Sequence, residues 1–293
     1  MFGDLIAWYL FLGGAGAGLA VVLAALDLLP WLRTRFSNRP TPAWANGLSR
    51  RFFARGYGVA LALLALGAAC LLADLGQPER FYFVLVHPTA SLLTFGSYVL
   101  AATMACAAAL GGVALFNLER VPDGLVRAVE AAAIVLGVAT MAYTGLFLGA
   151  IDFVELWRSP LLPLLFVASS LSIGAAVSCG LALLESDMHP SPLASALART
   201  DATVVLVEIV CAAAYLATVA LAPGGGTAVT ALALGQVGWL FWIGFVCLGL
   251  ALPLAIEAAY ARMGSAALLA LIVPCVLIGG FFLRYCLVNA PLA

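Results

Sequence analysis

Residues 91–117 read SLLTFGSYVLAATMACAAALGGVALFN, without one charged side chain. At 1.5 Å rise per residue, a helix of about 20 such residues crosses a ~30 Å hydrocarbon layer. No water reaches backbone amides and carbonyls there, and a helix satisfies them within one segment. Seven further apolar runs lie near 5–29, 56–76, 124–150, 160–184, 201–222, 229–259 and 265–288. Together they predict an all-α integral membrane protein with about eight transmembrane helices, a single membrane domain over 1–293. Pro253 and Pro274 fall inside the last two runs and predict kinks.

Composition agrees. Hydrophobic residues make up 65% of the chain and charged residues 9%, whereas a soluble domain carries roughly 25% charge on its wet surface. A formal net charge of −1 gives no reason to expect a nucleic-acid partner. The first run has no basic segment before it, and its first charge is Asp4. It therefore reads as a retained helix and not as a cleaved leader.

Arginine sets the orientation. The segment after the first run holds Arg33, Arg35, Arg39, Arg50, Arg51 and Arg55, and Arg120, Arg127, Arg199 and Arg262 fall on the same side. The opposite side has Arg80 and Arg158, with Arg284 near it in the last run. The positive-inside rule puts the arginine-rich side in the cytoplasm and both termini outside, in a multi-pass protein of the cell (inner) membrane surrounded by lipid.

The seven cysteines sit singly in apolar runs, and no Cys-x-x-Cys occurs. Iron–sulfur clusters and zinc need clustered thiolates, so neither a cluster nor another metal site is expected in this chain. The two histidines, His87 and His189, each precede a proline between runs, on opposite sides of the membrane. Axial haem ligands on spanning helices are missing, so no haem b is expected.

The remaining polar residues are few enough to weigh singly. Two loops on the terminal side share a pattern of acid, Glu, Arg, then X-Pro: Asp74 to Arg80 with His87-Pro88, and Asp152 to Pro160. Taken alone, such loops read as capping acids with snorkelling arginines. In the sixth run Asp201, Glu208 and Tyr215 recur every seven residues, on one helix face. With a helix starting at 201, Asp201 reads as a first-turn acid favoured by the helix dipole. Glu208, some 10 Å deeper, is costly unless paired or watered. Arg284 is the other intramembrane charge, and Glu257 and Asp27 lie nearer the arginine-rich side. Glu208, Arg284, Asp201, Tyr215 and Glu257 are thus candidates for a proton path or, equally, for scaffolding. Ser169, Ser170, Ser172 and Ser178 in the fifth run, and Gly13, Gly14, Gly16 and Gly18 in the first, read as close-packing residues.

Several stretches together resemble one known family. They are Tyr9-Leu-Phe-Leu-Gly-Gly14, Asp74-Leu-Gly-Gln-Pro-Glu-Arg-Phe81, Ala142-Tyr-Thr-Gly145, Trp157-Arg-Ser-Pro160 and Gly279-Gly-Phe-Phe-Leu-Arg-Tyr285. The chain is similar in these to the NrfD-like family, the membrane subunits of polysulfide reductase and related respiratory complexes. The resemblance implies two four-helix bundles, no redox cofactor held by the chain itself, and exchange of menaquinone or ubiquinone with the membrane pool. It implies a docked four-cluster ferredoxin-like iron–sulfur subunit, with a molybdopterin or cytochrome catalytic subunit beyond it. The quinone site it implies involves the outer ends of the first four helices: Tyr143 as the helix-four tyrosine, Asp74 and Arg80 as the loop motif. Tyr9 is the polar group that the first helix offers there. Such chemistry needs an apolar slot, donors for two oxygens and a base; Tyr143 suits the donor role, Asp74 or His87 that of the base. A rival reading from a different class is a secondary transporter of a small molecule or ion, which kinked helices and buried charges also suit.

Overall fold

The structure is a computed structural model that describes residues 4–37, 40–74, 91–118, 120–150 and 154–290. Eight of its helices are long and apolar enough to cross a membrane. They are α1 (Asp4–Ser37), α2 (Arg50–Asp74), α3 (Leu92–Phe116), α4 (Asp123–Gly149), α5 (Leu162–Glu185), α6 (Pro192–Leu221), α8 (Leu240–Met263) and α9 (Ala266–Asn289), with a short α7 (Gly225–Leu234) between α6 and α8. The uncharged run 91–117 forms α3. Ser91 caps it by accepting from the Thr94 amide at 3.2 Å, and Asn117 ends it in the left-handed region at φ 51°.

Several boundaries differ from the sequence expectation. α2 begins at Arg50 and not near 56, where Ser49 Oγ accepts from the Phe52 amide at 2.9 Å. α1 continues past residue 29 and through Pro30 to Ser37. α6 begins at Pro192 and not near 201. Ser191 accepts from the Ala194 amide at 3.0 Å, and Leu193, Ala194, Leu197 and Ala198 are buried, so packing draws the polar stretch into the helix. Asp201 is consequently no first-turn acid; it lies more than two turns inside α6. The run 229–259 is two elements. The Gly235 amide closes on the Ala231 carbonyl and the Gly238 amide on Gly235, ending α7 before α8 starts. The kink expected at Pro253 takes the form of a π-helical stretch, Leu240–Ala251, whose widened turns end with the Leu252 amide on the Cys247 carbonyl. A proline lacks its own amide donor and crowds the carbonyl four residues back, and a wider turn relieves both.

α1–α4 pack as one bundle and α5, α6, α8 and α9 as a second, with α1 against α5 as the main seam. Glycine makes that seam possible: a methyl on Gly18 would overlap the Ser170 backbone, and one on Gly174 would sit 2.5 Å from the Gly18 carbonyl carbon. Gly249 and Gly279 bring α8 and α9 together in the same way.

Candidate functional site

Two groups of polar side chains inside this scaffold hold most of the candidate residues that the structure describes. The first is a tyrosine pair in the α1–α4 bundle. Tyr9 and Tyr143 are both 1% exposed, and their phenols face each other. The Tyr143 ring rests on Gly96 of α3, where a methyl would overlap it, and its Oη closes no well-formed hydrogen bond. A buried phenol left without a partner is costly, which marks a place where a ligand acceptor would be welcome. Beyond Tyr143 along α4 lies a cavity of 270 Å³ lined by Leu92, Gly145, Gly149, Trp157, Arg158 and Pro163. Asp74, the last residue of α2, is exposed at the same end of the bundle. Arg80 and His87 lie outside the described residues. Of the expected quinone set, the structure therefore brings together Tyr9 and Tyr143.

The second group is a polar seam through the α5–α6–α8–α9 bundle. Arg284 is 0% exposed. Its Nη1 donates to Ser169 Oγ at 3.2 Å and to the Gly280 carbonyl at 2.8 Å, and its Nη2 donates to Ser170 Oγ at 2.8 Å. The guanidinium also lies 5.1 Å from the Phe166 ring centre. Glu208 lies close to Ser169 and feels the Arg284 charge. One turn along α5, Ser172 donates to Asp201 Oδ1 at 2.8 Å, and Asp201 in turn faces Glu257 of α8. The sequence suggests close packing for these serines; in the structure Ser169, Ser170 and Ser172 hydrogen-bond buried charges. A signal for this exists in the spacing, because Ser169 and Ser172 lie three apart on one helix face, as the acids of α6 also share a face.

Tyr215, the third residue of the seven-residue pattern, donates to the Leu156 carbonyl at 2.5 Å. It fixes the 3-10 turn Glu155–Trp157, which Trp157 also anchors by donating from Nε1 to the Leu287 carbonyl at 2.8 Å. Glu155 and Arg158 of that loop pair with each other at 2.8 Å on the surface. A further buried acid, Glu130 of α4, does not stand out in the sequence. It is held by Arg127 at 2.8 Å, which also reaches Asp27 at 3.2 Å. Among the described residues, no three His, Cys, Asp or Glu side chains gather as a metal site would require.

Fold and site together define a multi-pass all-α membrane protein whose buried polar groups are organised in two bundles. The chain belongs to the NrfD family: the family model described as polysulphide reductase, NrfD, matches residues 1–293. It is similar to the C subunit of polysulfide reductase from Wolinella succinogenes, 29% identical over 279 residues, covering 87% of this chain and 82% of that protein. It is also similar to protein NrfD of Escherichia coli, 32% identical over 169 residues, covering 56% of this chain and 52% of that protein. An NrfD homolog of Haemophilus influenzae is 30% identical over 147 residues, covering 48% of this chain and 44% of that protein.

Proposed function

We propose that this chain is the quinone-exchanging membrane subunit of a respiratory oxidoreductase, with the head group held at the Tyr9–Tyr143 end of the first bundle. Family membership makes it a membrane subunit of such a complex. The observation that carries the finer reading is the buried Tyr143 Oη, which faces Tyr9 but closes no well-formed hydrogen bond, with a cavity farther along α4 at the same end of the bundle. A cavity of about 150 Å³ takes benzene, so 270 Å³ suits a substituted ring. Bound menaquinone or ubiquinone supplies two-electron, two-proton redox chemistry. Tyr143 donates to one of its oxygens, Tyr9 orients Tyr143, and Asp74 stands at the surface where protons leave or enter. Electrons pass to or from a docked four-cluster iron–sulfur subunit on the terminal side, with a molybdopterin or cytochrome subunit beyond, because no Cys-x-x-Cys and no spanning-helix histidine equips this chain to hold them. The arginine-rich face is cytoplasmic in this reading.

Purifying the chain with its partners and measuring extracted quinone, iron and molybdenum tests the proposal. Quinone and partner-borne iron in fixed ratio to the chain are expected. An assembled complex that carries iron but neither retains nor turns over quinone would contradict the quinone assignment.

A further inference from the structure

Between α6 and α8, at the arginine-rich end, lies a cleft of 630 Å³. Ala198, Ala202, Leu254 and Ala258 form much of its wall, and Ser195 and Tyr260, hydrogen-bonded to each other at 2.6 Å, also line it. Glu257 also lines it. This side chain is 7% exposed, and neither of its carboxyl oxygens has a hydrogen-bond donor. Asp201 opposite is 1% exposed; Ser172 serves Oδ1, and Oδ2 has no donor. The two carboxyls are within hydrogen-bonding reach of each other.

The ionisable groups around the pair come from every helix packed on it. α5 contributes Cys179, α6 contributes Arg199 and Glu208, and α8 contributes Tyr260 and Arg262. α9 contributes Arg284 farther along the seam, where it serves Glu208. Among the described residues, none of these cations forms an ion pair with Asp201 or Glu257. Arg199 turns its Nε to the Ser195 carbonyl at 3.2 Å. Two neighbouring carboxylates out of water and without a cation repel strongly, which disfavours ionising both. One shared proton converts the repulsion into an O–H···O bond and gives Asp201 Oδ2 a partner. Glu257 lines the cleft.

We propose that Asp201 and Glu257 form a proton-exchange site: two carboxyls sharing one proton, loaded and unloaded through the α6–α8 cleft from the arginine-rich side. The pair cycles between one proton at net charge −1 and two protons at net charge 0. Only O–H bonds are made or broken, and water in the cleft is the donor and acceptor. The site stands on its own geometry. A chain that proved not to bind quinone would still carry it.

The test uses the full chain, assembled with its partners in membranes. Dicyclohexylcarbodiimide attacks protonated carboxylic acids in apolar surroundings, and peptide mass spectrometry locates the adduct. An adduct on Asp201 or Glu257 is expected, with a yield that falls as pH rises and that Glu257→Gln reduces at least severalfold. In a background without other reactive thiols, Ala258→Cys should react with an impermeant thiol reagent from the arginine-rich side and not from the other. Should Glu257→Gln fail to assemble, the wild-type adduct and the cysteine labelling decide. No adduct on either acid at any pH, a yield that does not change with pH, or an Ala258→Cys thiol closed from the arginine-rich side would overturn the proposal.

Discussion

Glu208 of α6 and Arg284 of α9 flank one hydroxyl: Ser169 Oγ accepts from Arg284 Nη1 at 3.2 Å, and the Glu208 carboxyl lies close by on its other side. A lone charge at the centre of a spanning helix costs ~2.5–3.5 kcal/mol on insertion scales, so each side chain needs the other. This geometry separates scaffold from proton relay. Removing one partner of a buried pair leaves the other uncompensated, typically at a cost of about 3–5 kcal/mol. As a scaffold, Glu208→Gln should lower the thermal stability of the assembled chain, Arg284→Gln should do so more, and the double variant should lose less than the two singles summed. The check is a double-mutant cycle on melting temperature in detergent. A Glu208→Gln variant of normal stability that has lost only proton coupling would assign the residue to a relay.

The α1–α5 crossing should tolerate added volume poorly. Gly18→Ala drives a methyl into the Ser170 backbone, whereas Gly112→Ala meets open space. Overpacking of a tight contact costs about 1–3 kcal/mol, and here two backbones must part. Gly18→Ala should lower yield and melting temperature, and Gly112→Ala should leave both unchanged, as read by fluorescence-detected gel filtration after heating.

Orientation is checked by labelling. Asn46 is exposed at the arginine-rich end, and Gly226 has nothing within 4 Å of an added Cβ at the terminal end. With native thiols replaced, Gly226→Cys should label with an impermeant reagent on intact cells, and Asn46→Cys only after permeabilisation. The reverse pattern would invert the topology.

Much of this architecture is legible in the sequence because lipid leaves the backbone few choices. The uncharged run 91–117 differs from α3 by one residue at each end. Legibility ends where packing, not hydropathy, sets the boundary. Pro192 to Thr200 is too polar to read as membrane helix, yet four of its apolar side chains are buried, and this moves Asp201 from a helix start to a buried seam. The seven-residue pattern places Asp201, Glu208 and Tyr215 on one buried face of α6. It does not show that each closes on a different partner, because Ser172, Ser169 and Leu156 come from elsewhere in the chain. Tyr9 and Tyr143 are singled out by the family resemblance. Their mutual contact depends on Gly96, a residue with no side chain to read.

The most direct measurement is quinol turnover by Tyr143→Phe in the assembled complex, at limiting and saturating quinol. The substitution removes only a hydroxyl that closes no well-formed hydrogen bond within the described protein, so assembly and melting temperature should change little. One net hydrogen bond is worth ~1 kcal/mol, so kcat/KM should fall by roughly fivefold if the phenol holds a quinone oxygen. Wild-type kcat and KM in a fully assembled Tyr143→Phe complex would contradict the placement of the quinone site at the Tyr9–Tyr143 pair.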